Sequence, residues 1–299
     1  MATRQAVKFQ SKSFTIYRDR SGMAATEKQL NVLKQNWSAI EYNGFLSKGT
    51  RRKIMNMLNC WAECIYCYNQ TEPDYEKKRD RRLRFLTLTL PERQSITDNE
   101  IKRRILMPFI QELKSLFHVE HYFWRAEAQQ NGNIHFHLIV DKFLDKAKVN
   151  YIWDNHCHNG DQLSYAPIWQ EGYHSASTRI EAIQGDEAVA GYVTKYVVKD
   201  DGGRKIFGRI WGCSDKLRNI AVPSVVFTNE VAEEVTRIEQ VGKYDIYKTD
   251  LYIIHKIDLL RDKRVTDSWL STELMAFYID QYYYLYNLNI LDRWKTEKG

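Results

Sequence analysis

The chain has 299 residues, enough for one large domain or two modest ones, and its 43% hydrophobic and 27% charged content is that of a globular protein with a core. A net charge of +6 and a pI near 8.9 suit nucleic acid or another acidic surface without proving either. No apolar run approaches the roughly 18 residues of a membrane-spanning helix, the opening Met1-Ala2-Thr3-Arg4-Gln5 has no apolar signal core, and five cysteines, an odd number, argue against a disulfide scaffold. A cytoplasmic protein of a reducing compartment is expected.

Residues 1–24 are polar and basic. Residues 25–41 read as a helix, with Leu30, Leu33 and Trp37 on one stripe. Gly44 and Gly49 have P-loop spacing, but Thr50 stands where a lysine is needed, which removes a nucleotide site. A second helix is predicted over 50–69. Its Cys60, Cys64 and Cys67 share one face, as small buried residues would beside Met57 and Trp61. Zinc would need a further ligand, which His156, Cys157 or His158 could supply. Residues 71–82 are a charged connector. Leu83–Leu90 reads as a buried strand ended by Pro91. Thr97 and Glu100 form a capping box opening a helix with Ile101, Ile105, Phe109 and Leu113 at helical period, continued by Leu116 or Phe117.

The next stretch carries chemistry. Strand 119–129 meets the turn Asn131-Gly132-Asn133, where Gly and Asn tolerate positive φ and let the chain reverse. In the returning strand Ile134, Phe136, Leu138 and Val140 alternate with His135, His137 and Ile139. Two imidazoles two positions apart on a strand project to the same side, close enough to share a metal ion. Glu127 and Gln129 share a face of the partner strand, and the tight turn sets them near the histidines. A Glu–His ion pair in a polar core is the plain alternative. The carboxylate-and-imidazole set otherwise makes an open divalent site, better suited to Mg²⁺ or Mn²⁺ than to structural zinc. Gln129 can replace or support Glu127.

A helix near 145–157 and a strand over 178–183 follow. Asp186 caps a helix running to Lys199. At about 100° per residue, Tyr192, Lys195, Tyr196 and Lys199 fall on one stripe, opposite Ala190, Val193 and Val197. Alone this is a solvated cationic face. Beside a metal it supplies a phenol and the ammonium groups that ease its ionisation, the parts of a tyrosine-based phosphodiester transfer. Residues 204–218 interleave Arg204, Lys205 and Arg209 with Phe207 and Trp211, a pattern that suits nucleic acid or an amphipathic loop edge. Residues 224–299 show fragments and a final helix over 267–291.

These motifs resemble the HUH endonucleases, in particular the two-tyrosine rolling-circle replication initiators of microvirus-type phages and of plasmids. Phe85-Leu86-Thr87-Leu88-Thr89-Leu90-Pro91 resembles the first family motif, His135-Phe136-His137 the second and Tyr192-x-x-Lys195-Tyr196-x-x-Lys199 the third, in family order. The resemblance spans about 83–200. It implies an α+β fold: a central antiparallel, ferredoxin-like sheet flanked by helices. The corresponding division is a helical N-terminal extension (1–82), an endonuclease core (83–218) and a mainly helical C-terminal region (219–299). It also implies that Glu127, His135 and His137 hold Mg²⁺ or Mn²⁺, with Tyr192 or Tyr196 attacking single-stranded origin DNA, which a hairpin could present. Lys195 and Lys199 assist, and Arg204, Lys205, Arg209 and Trp211 contact the DNA. The chain lacks a helicase motor, so a host helicase and polymerase are implied as partners in a bacterial cell. A relaxase or transposase with the same chemistry is the near rival, and a non-catalytic single-strand binder the rival of another class.

Overall fold

The computed structural model describes residues 5–10, 13–18, 45–164, 166–167, 177–183, 204–220, 224–227, 245–248 and 252–256. In chain order these form β1 (Gln5–Gln10), β2 (Ser13–Arg18), α1 (Lys48–Thr71), α2 (Tyr75–Asp80), β3 (Arg84–Thr89), α3 (Asp98–Ile101), a π-helical turn (Lys102–Leu106), α4 (Met107–Leu116), β4 (Tyr122–Ala128), β5 (Ile134–Val140), α5 (Lys146–Asn159), β6 (Thr178–Ala182), β7 (Trp211–Cys213), α6 (Asp215–Arg218), β8 (Ser224–Phe227), β9 (Asp245–Lys248) and β10 (Tyr252–Lys256). The chain divides into two compact units, Asn43–Ile220 and Met1–Tyr42 with Ala221–Gly299. No described helix is long and apolar enough to cross a membrane.

The unit Asn43–Ile220 is an α+β structure around a five-stranded sheet in the order β6-β3-β5-β4-β7, every neighbouring pair antiparallel. The alternation of β5 decides which way it faces. Ile134, Phe136, Leu138 and Val140 are fully buried. Phe136 meets the indole of Trp153 on α5 edge-on at 6.3 Å, and Trp153 meets Phe109 of α4 at 5.2 Å. Trp153 also donates its indole N–H to the carbonyl of Thr89, 2.8 Å away, which ties α5 to β3. One face of the sheet is therefore the aromatic core beneath α4 and α5. The histidines necessarily point to the other face.

The capping box forms as predicted, with Thr97 Oγ1 accepting from the Glu100 backbone N–H while the Glu100 carboxylate accepts from that of Thr97. The helix that follows is not uniformly α. Its π turn at Lys102–Leu106 admits one extra residue into the winding. Ile101, Ile105, Phe109 and Leu113 stay buried, as the period predicts, but Leu106 and Ile110 join them while Leu116 is 57% exposed. Residues 71–82 are not wholly a connector. Asp74 accepts from the backbone N–H groups of Glu76 and Lys77 and starts the short exposed helix α2.

The other unit holds a second five-stranded antiparallel sheet, β8-β1-β2-β10-β9. This corrects the expectation of a polar, helical N-terminus. The net polarity of residues 1–24 hid a period-two pattern, Val7 and Phe9 against Ala6 and Lys8, then Phe14 and Ile16 against Thr15. β1 and β2 pair with each other and with strands from beyond residue 220, in the region read as mainly helical. The helices read over 25–41 and 267–291 lie outside the described residues.

Candidate metal centre

β5 is the central strand, and its register fixes the neighbours of each histidine. His135 stands opposite Glu127 of β4 and Thr89 of β3, and His137 opposite Arg125 and Thr87. Directly opposed residues of antiparallel strands have Cβ atoms only about 5 Å apart. The hairpin closes with Gln129 N–H donating to the Asn133 carbonyl at 2.8 Å and Gly132 N–H to the Gln129 carbonyl at 2.9 Å. Gly132 has φ 86, the left-handed conformation that the Asn-Gly-Asn turn predicts.

Three ligand atoms converge there. His135 Nε2 lies 3.1 Å from His137 Nε2, and Glu127 Oε2 lies 3.1 Å from His137 Nε2 and 3.5 Å from His135 Nε2. The two rings meet edge to face with centroids 4.6 Å apart. Donors bound at about 2.1 Å to one cation sit about 3.0 Å apart at octahedral cis positions and about 3.4 Å apart at tetrahedral ones. The observed triangle matches that spacing. Two further atoms point to a ligand. Glu127 Oε1 and His135 Nδ1 are buried and make no hydrogen bond among the described residues, although Glu127 Oε1 has the Arg125 guanidinium 3.5 Å away. The cluster can hold a metal ion, and it is the one such group of three among the described His, Cys, Asp and Glu residues.

The surroundings keep the ligands in their binding forms. Burial opposes ionisation of Glu127. Hydrogen bonds from His135 and His137, with the charges of His137 and Arg125, outweigh it and hold the carboxyl down to about 2. Burial lowers His137 more than Glu127 raises it, so its ring is held below the usual imidazole range. A carboxylate beside a neutral imidazole is the state a divalent ion requires. A supporting layer orients His137: Thr87 Oγ1 lies 3.4 Å from its Nδ1, and the Phe85 ring stacks on it at 5.1 Å. This layer was legible in the Phe85-Leu86-Thr87-Leu88-Thr89 alternation, which puts Phe85 and the two threonines on the histidine face.

Residues 83–201 match the family model for replication-associated protein ORF2. The match covers less than half of the chain, takes in the whole metal cluster and supports a role in replication. No curated protein and no solved structure matched the chain.

The other predicted residues fall variously. Tyr192, Lys195, Tyr196 and Lys199 lie outside the described residues. Gln129 follows the last ladder pair, and its Oε1 is buried without a hydrogen bond among the described residues. Lys205 and Arg209 are in the loop before β7, where Arg209 is exposed and Lys205 likewise. Trp211 is half-buried, its ring tilted over Phe123 at 6.3 Å.

Arg204 serves the scaffold. Its Nη1 and Nη2 each donate to the buried Asp98 carboxylate at 2.7 Å, Nη2 also reaches Gln94 Oε1 at 3.0 Å, and Nε donates to the Gly132 carbonyl at 2.6 Å. Gln94 in turn accepts from Ile134 N–H, and its own N–H donates to Asn133 Oδ1. One side chain thus ties the start of α3, the turn of the metal hairpin and the loop before β7. Sequence spacing gave no sign of this, because Asp98 and Gln94 stand over a hundred positions away from it.

Cys60 and Cys64 are buried on α1, in keeping with the packing reading. Cys157 is buried on α5, and burial raises its thiol pKa far above the ordinary value.

Proposed function

We propose that this protein is a rolling-circle replication initiator that nicks single-stranded origin DNA by tyrosine attack and later rejoins it. The observation that carries the reading is the convergence of Glu127 Oε2, His135 Nε2 and His137 Nε2 within 3.1–3.5 Å on the central strand, inside the segment matching a replication-associated family. A bound Mg²⁺ or Mn²⁺ would polarise a phosphodiester oxygen and offset the charge that builds on it.

The chain's own groups do the rest. Glu127, as carboxylate, and the two histidines, as neutral imidazoles, fix where the scissile phosphate sits. Arg125 and Thr87 fix those ligands. The phenol oxygen of Tyr192 or Tyr196 attacks phosphorus in line and gives up its proton. The bond to the 3′-oxygen breaks, that oxygen takes a proton, and the products are a 5′-phosphotyrosine and a free 3′-OH that primes synthesis. Lys195 and Lys199 ease ionisation of a phenol whose ordinary pKa is near 10. Attack by the second tyrosine after a replication round, then by the 3′-OH, restores a phosphodiester without ATP, because no water has consumed the bond. A host helicase and polymerase would supply unwinding and extension.

The test mixes the protein with labelled single-stranded oligonucleotides tiling its replicon's origin and Mn²⁺, and looks for a covalent adduct on a denaturing gel. An adduct is expected, lost with EDTA and in the double variant Tyr192→Phe, Tyr196→Phe. No adduct on any oligonucleotide would remove the enzyme reading, and an adduct surviving in the double variant would remove the nucleophile assignment.

A further inference from the structure

Phe207 is 64% exposed, yet its backbone is held at both ends. Its N–H donates to Asp98 Oδ2 at 3.0 Å, and its carbonyl accepts from Lys102 Nζ, which also donates to the Arg209 carbonyl at 2.9 Å. Asp98 and Lys102 are themselves buried. Gly208 follows with φ 77, packed so closely on Asn99 that a Cβ there would collide with the Asn99 side-chain oxygen. Two buried charges and a left-handed glycine therefore fix the chain around an aromatic ring left in solvent. Hydrophobic burial does not explain that arrangement. A ring whose ordering cost is met before binding is suited to hold a flat ligand.

The ring forms one wall of an open cleft of about 800 Å³, whose other walls are the hairpin turn Asn131–Asn133 and the segment Arg93–Glu100. The lining chemistry selects the ligand. Arg93 and Arg204 are offset by Asp98 and Glu100, so the cleft does not favour a phosphate. Gln94, Asn99, Asn131 and Asn133 bring amides, which hydrogen-bond the edges of bases. Exposed Lys205 and Arg209 stand two positions either side of Phe207, placed for the phosphates that flank a stacked base. Asn133 precedes His135 by two residues, roughly 7 Å along a strand, so an occupant lies beside the metal ligands.

We propose that Phe207 is the stacking platform for an unpaired base of the single-stranded DNA substrate, seated in this cleft next to the metal centre. The proposal rests on the reading above only in taking single-stranded DNA as the ligand.

The test is fluorescence anisotropy in EDTA with the full chain and two labelled probes of equal charge, a twelve-nucleotide oligo(dT) and an all-abasic strand of the same length. Stacking is worth about 1–3 kcal/mol per base, so Phe207→Ala should weaken oligo(dT) binding about 5- to 150-fold. It should leave abasic binding and the salt slope unchanged, and Phe207→Trp should retain oligo(dT) affinity. Binding of oligo(dT) by Phe207→Ala within twofold of the parent, an equal loss on both probes, or no binding of either probe by the parent would overturn the proposal. Covalent adduct formation is read separately. An adduct with no Phe207 effect sinks the platform alone, and a Phe207 effect without an adduct sinks the nuclease reading alone.

Discussion

Replacing Arg204 with alanine tests the clasp that joins the metal hairpin to the rest of its unit. Asp98 is 2% exposed at its side chain and receives both guanidinium nitrogens at 2.7 Å. Removing one partner of a buried ion pair costs about 3–5 kcal/mol, because the other charge is left without its partner. Two features reduce that figure. Asp98 keeps its hydrogen bonds from Gln94 Nε2 and the Phe207 N–H, and Arg204 is itself 33% exposed. A loss of about 2–3 kcal/mol is expected, or about 4–12 °C in melting temperature for a unit of this size. Arg204→Lys should recover only part of it, since one ammonium cannot span both carboxylate oxygens and the Gly132 carbonyl.

The pH dependence gives an independent check. Burial opposes ionisation of Asp98, but the Arg204 and Gln94 hydrogen bonds outweigh it and hold its pKa below the ordinary carboxylate value. A depressed carboxylate stabilises the fold above its unfolded pKa of about 3.9 and loses that contribution as pH falls through the lower folded value. The difference between parent and Arg204→Ala should therefore be constant near neutrality and shrink below about pH 4. Thermal unfolding followed by circular dichroism across that range measures both. A variant within about 0.5 kcal/mol of the parent at pH 7, the scatter of ordinary surface changes, would refute the clasp.

Further outcomes follow from the same geometry. In calorimetric Mn²⁺ titrations, Glu127→Gln and His137→Ala should each weaken binding at least 10- to 100-fold, more than supporting-layer changes usually do, and unchanged affinity in either would remove that ligand. Because burial lowers the His137 pKa, Mn²⁺ affinity in the parent should hold flat through neutrality and fall only below about pH 6.5, where an unperturbed imidazole would already be protonating. An affinity that declined from pH 8 downward would contradict that environment. Gly212→Ala should cost about 1–3 kcal/mol through overpacking, since its Cβ would lie 2.6 Å from the Trp124 indole nitrogen. Gly132→Ala, with nothing within 4 Å of its Cβ, should cost only the roughly 1–2 kcal/mol of left-handed backbone. A larger loss of melting temperature in Gly132→Ala than in Gly212→Ala would contradict this ranking.

The histidine hairpin was legible because its information is local. Asn131-Gly132-Asn133 sets the turn, alternation sets the face, and together they fix the register that brings Glu127 opposite His135. The capping box at Thr97 was legible for the same reason. The sheet order was not, because β6, β7 and the strand pairs of the other unit meet across long separations that no periodicity encodes. The pattern in β1 and β2 was present but outweighed by net polarity. Arg204 shows the limit most directly. A basic residue among aromatics reads as a phosphate contact, and only its three-dimensional neighbours reveal that Asp98 and Gly132 have claimed it.

The place of β5 in the middle of its sheet bears on how the cation is exchanged. His135 and His137 sit on a strand bonded to both β3 and β4, so their backbone cannot drift without breaking two ladders at once. Such amides belong to the last parts of a protein to open, with exchange protection approaching that of global unfolding. An ion arriving at this centre need order little more than three side-chain torsion sets. Loading and release can then be fast and repeatable, with the hairpin keeping its shape throughout.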